Sequence, residues 1–216
     1  MEELLDIYDG TGKSLGFSKP KSEVHLNGFW HKSFHCWILN KNHLDEDCIL
    51  LQKRSSNKKS WPDKYDISAA GHYTSGEGIE GGLREIKEEL GVNISQENLI
   101  PLGIRVCIEE FDPKAKNHEF QDIFFLEENR KLEDYKMALN EVSGLVSIPI
   151  LKGIQLFAGQ IPVINAQGYI LNENGIVEKR EFNITINDFI PTLDNYYFKI
   201  LILANRFLKG ENLLLI

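Results

Sequence analysis

The stretch "REIKEELGV", residues 84–92, places Glu85, Glu88 and Glu89 within five residues. On a helix, positions i, i+3 and i+4 share a face, so the three carboxylates would point in nearly one direction and repel. Leu83, Ile86 and Leu90 form a separate apolar stripe that would hold such a helix against a core, and Gly91 stands where a C-terminal glycine cap belongs. The acidic face is then left free. It reads either as a solvated surface or as a site for a hard divalent cation, which takes oxygen ligands and offsets the repulsion between them.

The elements that must position these residues follow from the flanking pattern. Residues 34–40 and 48–52 are short apolar runs joined by a polar loop, as in a hairpin. A loop rich in Lys, Ser and Asn leads through "WPDKYDISAAGHYTSGEG" to the glutamates. Residues 99–111, 120–128 and 142–150 read as further strands, and Asn174-Gly175 marks a turn between β-like runs in 168–185. A final helix is expected from Thr192, as N-cap, to Gly210, with Leu193, Tyr196, Tyr197, Ile200, Leu201, Ala204, Phe207 and Leu208 at helical spacing. The sequence of elements predicts an α/β or α+β domain with a mixed sheet.

The 216 residues, 42% hydrophobic and 26% charged, suit one domain spanning 1–216, with a C-terminal elaboration from about 150. A formal charge of -8 argues against a nucleic-acid surface and confines any polyanion site to a local patch. Cys36, Cys48 and Cys107 are odd in number and too far apart for paired zinc-ligand spacing, as expected of reduced thiols. An acidic N-terminus and the lack of an 18-residue apolar run point to a cytoplasmic protein with no membrane partner; a homodimer is compatible with the sequence.

Residues 71–92, "GHYTSGEGIEGGLREIKEELGV", resemble the Nudix box, G-x5-E-x7-R-E-U-x-E-E-x-G-U with U aliphatic. Gly71, Glu77, Arg84, Glu85, Ile86, Glu88, Glu89, Gly91 and Val92 match, but six residues instead of seven separate Glu77 from Arg84. Gly81 and Gly82 lie there, each costing about 1 kcal/mol inside a helix, so the helix is expected to start late and the loop to absorb the deletion. The resemblance implies an α/β/α sandwich and hydrolysis of a diphosphate linkage in a nucleoside diphosphate derivative or related small diphosphate. It also implies Mg2+ or Mn2+ held by Glu85, Glu88, Glu89 and the backbone of Gly71. Arg84 would hold a glutamate in place, or serve as an i,i+4 partner of Glu88.

"HKSFHCWILN" and "QKRSSNKKSWPDKYDISAAGHYTSGE" are similar to the type I isopentenyl diphosphate isomerases, a branch of the same fold. That similarity implies that Arg54 and Lys58 grip the substrate diphosphate and that His31 and His72 belong to a histidine-rich metal site. His25 falls one residue off the third ligand, Glu119 matches one of two glutamates, and Asn117 replaces the other. The isomerases carry a proton-transferring cysteine before the Gly-His pair; here Ala70 stands there, and a methyl group cannot exchange a proton. The reading is therefore an isomerase-like hydrolase, with isopentenyl-diphosphate isomerase-like activity or a non-catalytic nucleotide-sensing module as alternatives. Glu119 is its first candidate for a catalytic base outside the box, ahead of Glu109 and Glu110, and Trp30, Trp37 and Tyr73 are candidates for a cleft lining, with core packing favoured for Trp37.

Overall fold

The computed structural model describes every residue except Met1, His43, Pro113, Lys114, Leu139 and Glu173. A short hairpin, β1 (Leu4–Tyr8) and β2 (Ser14–Pro20), leads into helix α1 (Lys21–Asn27), which stops where Gly28 turns left-handed at φ 68°. The two early apolar runs become β3 (His31–Lys41) and β4 (Asp47–Arg54), antiparallel with Leu39 opposite Ile49. Two short strands follow, β5 (Tyr65–Asp66) and β6 (Ala69–His72), and then helix α2 (Ile79–Leu90). The chain continues through β7 (Leu99–Asp112), β8 (Ala115–Glu127), β9 (Val142–Pro149), helix α3 (Ile150–Phe157), the hairpin β10 (Ile164–Leu171) and β11 (Val177–Ile184), and helix α4 (Tyr196–Leu208).

The main sheet runs β11-β10-β9-β4-β3-β8-β7, with β5 paired to β4 and β6 to β3. β3 and β8 are parallel and the other pairings antiparallel, so the sheet is mixed as expected. Alternation along β3 divides the core. Phe34, Cys36 and Ile38 join Ile86 and Leu90 of α2 on one face. Trp37 and Leu39 join Leu156 of α3 and Tyr196, Ile200 and Leu201 of α4 on the other. The result is the α/β/α sandwich, and no helix among the described residues is long and apolar enough to cross a membrane.

Three local expectations are corrected. Helix α2 does not start late: it begins at Ile79 and takes in both glycines. A Cβ on Gly82 would lie 2.2 Å from the Phe34 ring, so close packing on β3 requires glycine and outweighs its helical cost. Helix α4 begins at Tyr196, after Asn195 adopts a left-handed φ of 56°. The Thr192 hydroxyl accepts the Tyr196 amide at 3.1 Å from outside the helix, and Leu193 is 80% exposed, off the apolar stripe. Finally, Ile150 opens α3 instead of closing the preceding strand.

Candidate active site

β6 holds two donor clusters apart. Its residues alternate, so Ala69 and Gly71 face α2, whereas His72 meets the histidines on the other side.

On the α2 side the acidic face is not free. Glu88 is 59% exposed, but Glu85 is only 14% exposed and Glu89 is buried. The α2 register that sends Ile86 and Leu90 into the core carries Glu89 inward beside them, and its Oε2 accepts the Ala70 amide at 3.1 Å. A Cβ on Gly71 would lie 2.2 Å from the Glu85 carboxyl carbon, so the box opens on glycine because a carboxylate packs against it. Burial pushes Glu89 up to about 8 and also raises Glu85, although the Arg84 charge opposes the shift at Glu85. Two carboxylates that resist ionisation when metal-free, beside backbone with no side chain in the way, fit a divalent ion with oxygen ligands.

Arg84 touches the carboxylates that both of its candidate roles name. Its guanidinium donates to Glu85 at 2.8 Å, to Glu88 at 3.1 Å and to both oxygens of Glu77 at 3.2 and 3.1 Å. The missing box residue therefore leaves the Glu77–Arg84 pairing intact. The loop is also held from outside, because the Asp6 carboxylate accepts the Ser75 hydroxyl at 2.7 Å and the Gly76 amide at 3.0 Å.

On the other side of β6, His25 from α1, His31 from β3, His72 from β6 and Glu119 from β8 bring their donor atoms within 4.8 Å of one another. Register explains the grouping: His31 is opposite Glu119 in the parallel pair, and Ser33, two residues on, is opposite His72. The three rings form a near-equilateral triangle, with centroids 5.1–5.2 Å apart. Oε1 of Glu119 lies 3.4 Å from Nε2 of His31 and 3.3 Å from Nε2 of His72, yet none of the three buried Nε2 atoms has a hydrogen-bond partner among the described residues. Nδ1 of His31 faces the Phe29 carbonyl at 2.9 Å; a carbonyl only accepts, so Nδ1 carries a proton and Nε2 is the nitrogen turned toward Glu119. Burial holds His25 down to about 4 and lowers His72, keeping both imidazoles neutral. Burial alone would raise Glu119, but the His31 and His72 rings beside it hold it well below the usual carboxylate range. Three imidazoles whose nitrogens converge beside a carboxylate fit a borderline divalent ion such as zinc. His25, one residue out of linear register, thus joins the cluster through α1.

The remaining candidates are placed as follows. Arg54 donates to Asp66 at 2.8 Å and to the carbonyls of Ser60 and Trp61 at 2.9 and 3.1 Å, bracing the loop before β5. Lys58 pairs with Glu141, and burial followed by the Arg54 charge lowers its pKa. Two neighbouring cations, one of them strained by burial, suit a displacing anion. Cys36 is fully buried on the α2 face, away from Ala70, which packs on the α4 side. The cysteine in register with Glu119 is Cys107, whose thiol burial pushes up. Trp37 and Tyr73 are buried in the two cores; Trp30 stacks on Phe120 with centroids 4.7 Å apart.

The NUDIX domain family model matches residues 30–151. The chain is 38% identical over 197 residues to an uncharacterized Nudix hydrolase of Clostridium acetobutylicum, covering 91% of this chain and 94% of that protein. It is also 32% identical over 115 residues to an isopentenyl-diphosphate Delta-isomerase of Salmonella arizonae, covering 53% of this chain and 60% of that one. A solved structure of a Deinococcus radiodurans protein shares the fold with a TM-score of 0.54 at 20% identity, over 73% of this chain and 90% of that one. The chain belongs to the Nudix hydrolase family, whose members hydrolyse phosphoanhydride bonds.

Proposed function

We propose that this protein hydrolyses the diphosphate linkage of a small molecule, a nucleoside diphosphate derivative or a related small diphosphate, with Mg2+ or Mn2+ at the carboxylate helix. The observation that carries the reading is the packing of Glu85 and Glu89 under the Ala70–Gly71 backbone. Glu85, Glu88 and Glu89 hold the ion, and Arg84 keeps Glu85 and Glu88 aligned while matching their charge. A divalent ion held there neutralises the diphosphate oxygens and makes water a better nucleophile. Arg54 and Lys58 bind the diphosphate, releasing Asp66 and Glu141 in exchange. Glu119, held low in pKa, is a poor proton acceptor; the reading assigns it to the histidine centre and the base to a box carboxylate.

The histidine centre favours a second reading, isomerisation of an allylic diphosphate, which the methyl group of Ala70 opposes. Both are tested by incubating the protein with Mg2+ and a panel of nucleoside diphosphate derivatives and isopentenyl diphosphate, scoring phosphate release and allylic isomer separately. Metal-dependent phosphate release that disappears in Glu89→Gln supports hydrolysis. Isomer without phosphate release supports the second reading and rejects the first.

A further inference from the structure

Glu119 does not reach the histidines on its own. Its Oε2 accepts the Ser33 hydroxyl at 2.9 Å and the side-chain amide of Gln121 at 2.6 Å, which sets the carboxylate plane and turns Oε1 toward His31 and His72. An amide can present either its oxygen or its NH2, and the wrong orientation would set oxygen against carboxylate. Arg105 removes the choice: its Nη1 donates to the Gln121 oxygen at 2.6 Å, and because a guanidinium only donates, the NH2 must face Glu119. Register places the three together, with Arg105 opposite Gln121 and Cys107 opposite Glu119 on adjacent strands.

Arg105 is itself held from outside the 30–151 match. Its Nε and Nη2 donate to the two oxygens of Asp194 at 2.9 and 2.7 Å, and its guanidinium carbon lies 4.1 Å from the centre of the Tyr196 ring. The Tyr196 hydroxyl accepts from Trp37 at 2.9 Å and meets Nδ1 of His35 at 3.0 Å, so the start of α4 is anchored to the same face of β3. Arg105 and Gln121 are 8% and 3% exposed, which shields the contact between them from water, whereas the Asp194 side chain is 33% exposed.

We propose that Arg105 is a positioning residue for the histidine–glutamate centre, orienting Glu119 through Gln121, and that Asp194 makes the C-terminal segment part of that support. The inference rests on the reading of this cluster as a metal centre. Its test is a titration of the full chain with Co2+, followed by visible absorption, with circular dichroism as a check on folding. Gln121→Leu and Arg105→Met are expected to weaken Co2+ binding about 10- to 100-fold, as losses behind a metal ligand do. Asp194→Asn should weaken it less than either, and Mg2+ affinity at the carboxylate helix should be unchanged in all three. Should Arg105→Met fail to fold, the other two variants carry the test. Wild-type Co2+ affinity and spectrum in folded Gln121→Leu would overturn the proposal. Wild-type protein that binds no more Co2+ than His31→Ala would remove the centre and this inference with it, while phosphate hydrolysis at the carboxylates is judged by its own assay.

Discussion

The two clusters flanking β6 handle charge in opposite ways. On the α2 side, Arg84 touches Glu77, Glu85 and Glu88, yet the buried Glu89 is left to burial and rises to about 8. On the other side no Lys or Arg among the described residues touches Glu119, whose charge is held by hydrogen bonds and imidazoles. The first set offers oxygens and carries excess negative charge, which suits a hard ion shared with a diphosphate. The second offers three imidazole nitrogens and one carboxylate, which suits a borderline ion held by protein alone. A four-residue strand with a glycine at its third position is enough to keep the two chemistries apart.

If the clusters are independent, Glu89→Gln should remove about three orders of magnitude of Mg2+-dependent phosphate release, since metal stabilisation of the transition state is worth several kcal/mol and each ~1.4 kcal/mol is tenfold. Co2+ uptake by the histidines should be unaffected; losing both together would break the comparison.

A pair of glycine variants sharpens it. Gly71→Ala and Gly82→Ala each force a methyl group to within 2.2 Å of a neighbour, Glu85 in one case and Phe34 in the other. Both should cost about 1–3 kcal/mol of stability by chemical denaturation. Only Gly71→Ala should also weaken Mg2+ binding; equal Mg2+ affinity in the two would mean that Gly71 matters for packing alone.

A further effect is on pH dependence. Glu89 keeps its proton in the metal-free folded state up to about 8 and loses it near the ordinary carboxylate value when unfolded. The stability this contributes is therefore present below the unfolded value and lost as pH rises toward 8, by at most about 1.4 kcal/mol per unit. Denaturation curves of metal-free wild type minus those of Glu89→Gln should show this downward slope, and saturating Mg2+ should abolish it.

How far the sequence was legible depended on whether the information was local. The glutamate stripe, the Gly91 cap, the Asn174-Gly175 hairpin and the β3–β4 pairing are set by neighbours in the chain, and they were read correctly. Gly81 and Gly82 were misread because helix cost is local while the need for close approach to Phe34 is not. The same holds for Glu89: its position on an acidic face is evident from spacing, but its burial depends on where β6 crosses the helix. His25 lies out of linear register and becomes a candidate ligand only when α1 folds over β8. Gln121, Arg105 and Asp194, separated by up to 89 residues, carried no motif at all. Alternating buried polar residues on two paired strands were the signal that could have found the first two.

The most direct test of hydrolysis at the carboxylate helix is to run the reaction with Mg2+ in H2 18O and follow the diphosphate by phosphorus NMR and mass spectrometry. The account predicts two phosphate-bearing products, one of them carrying a single 18O, formed by wild type and not by Glu89→Gln. A diphosphate that stays intact and free of 18O while its carbon skeleton isomerises would contradict it.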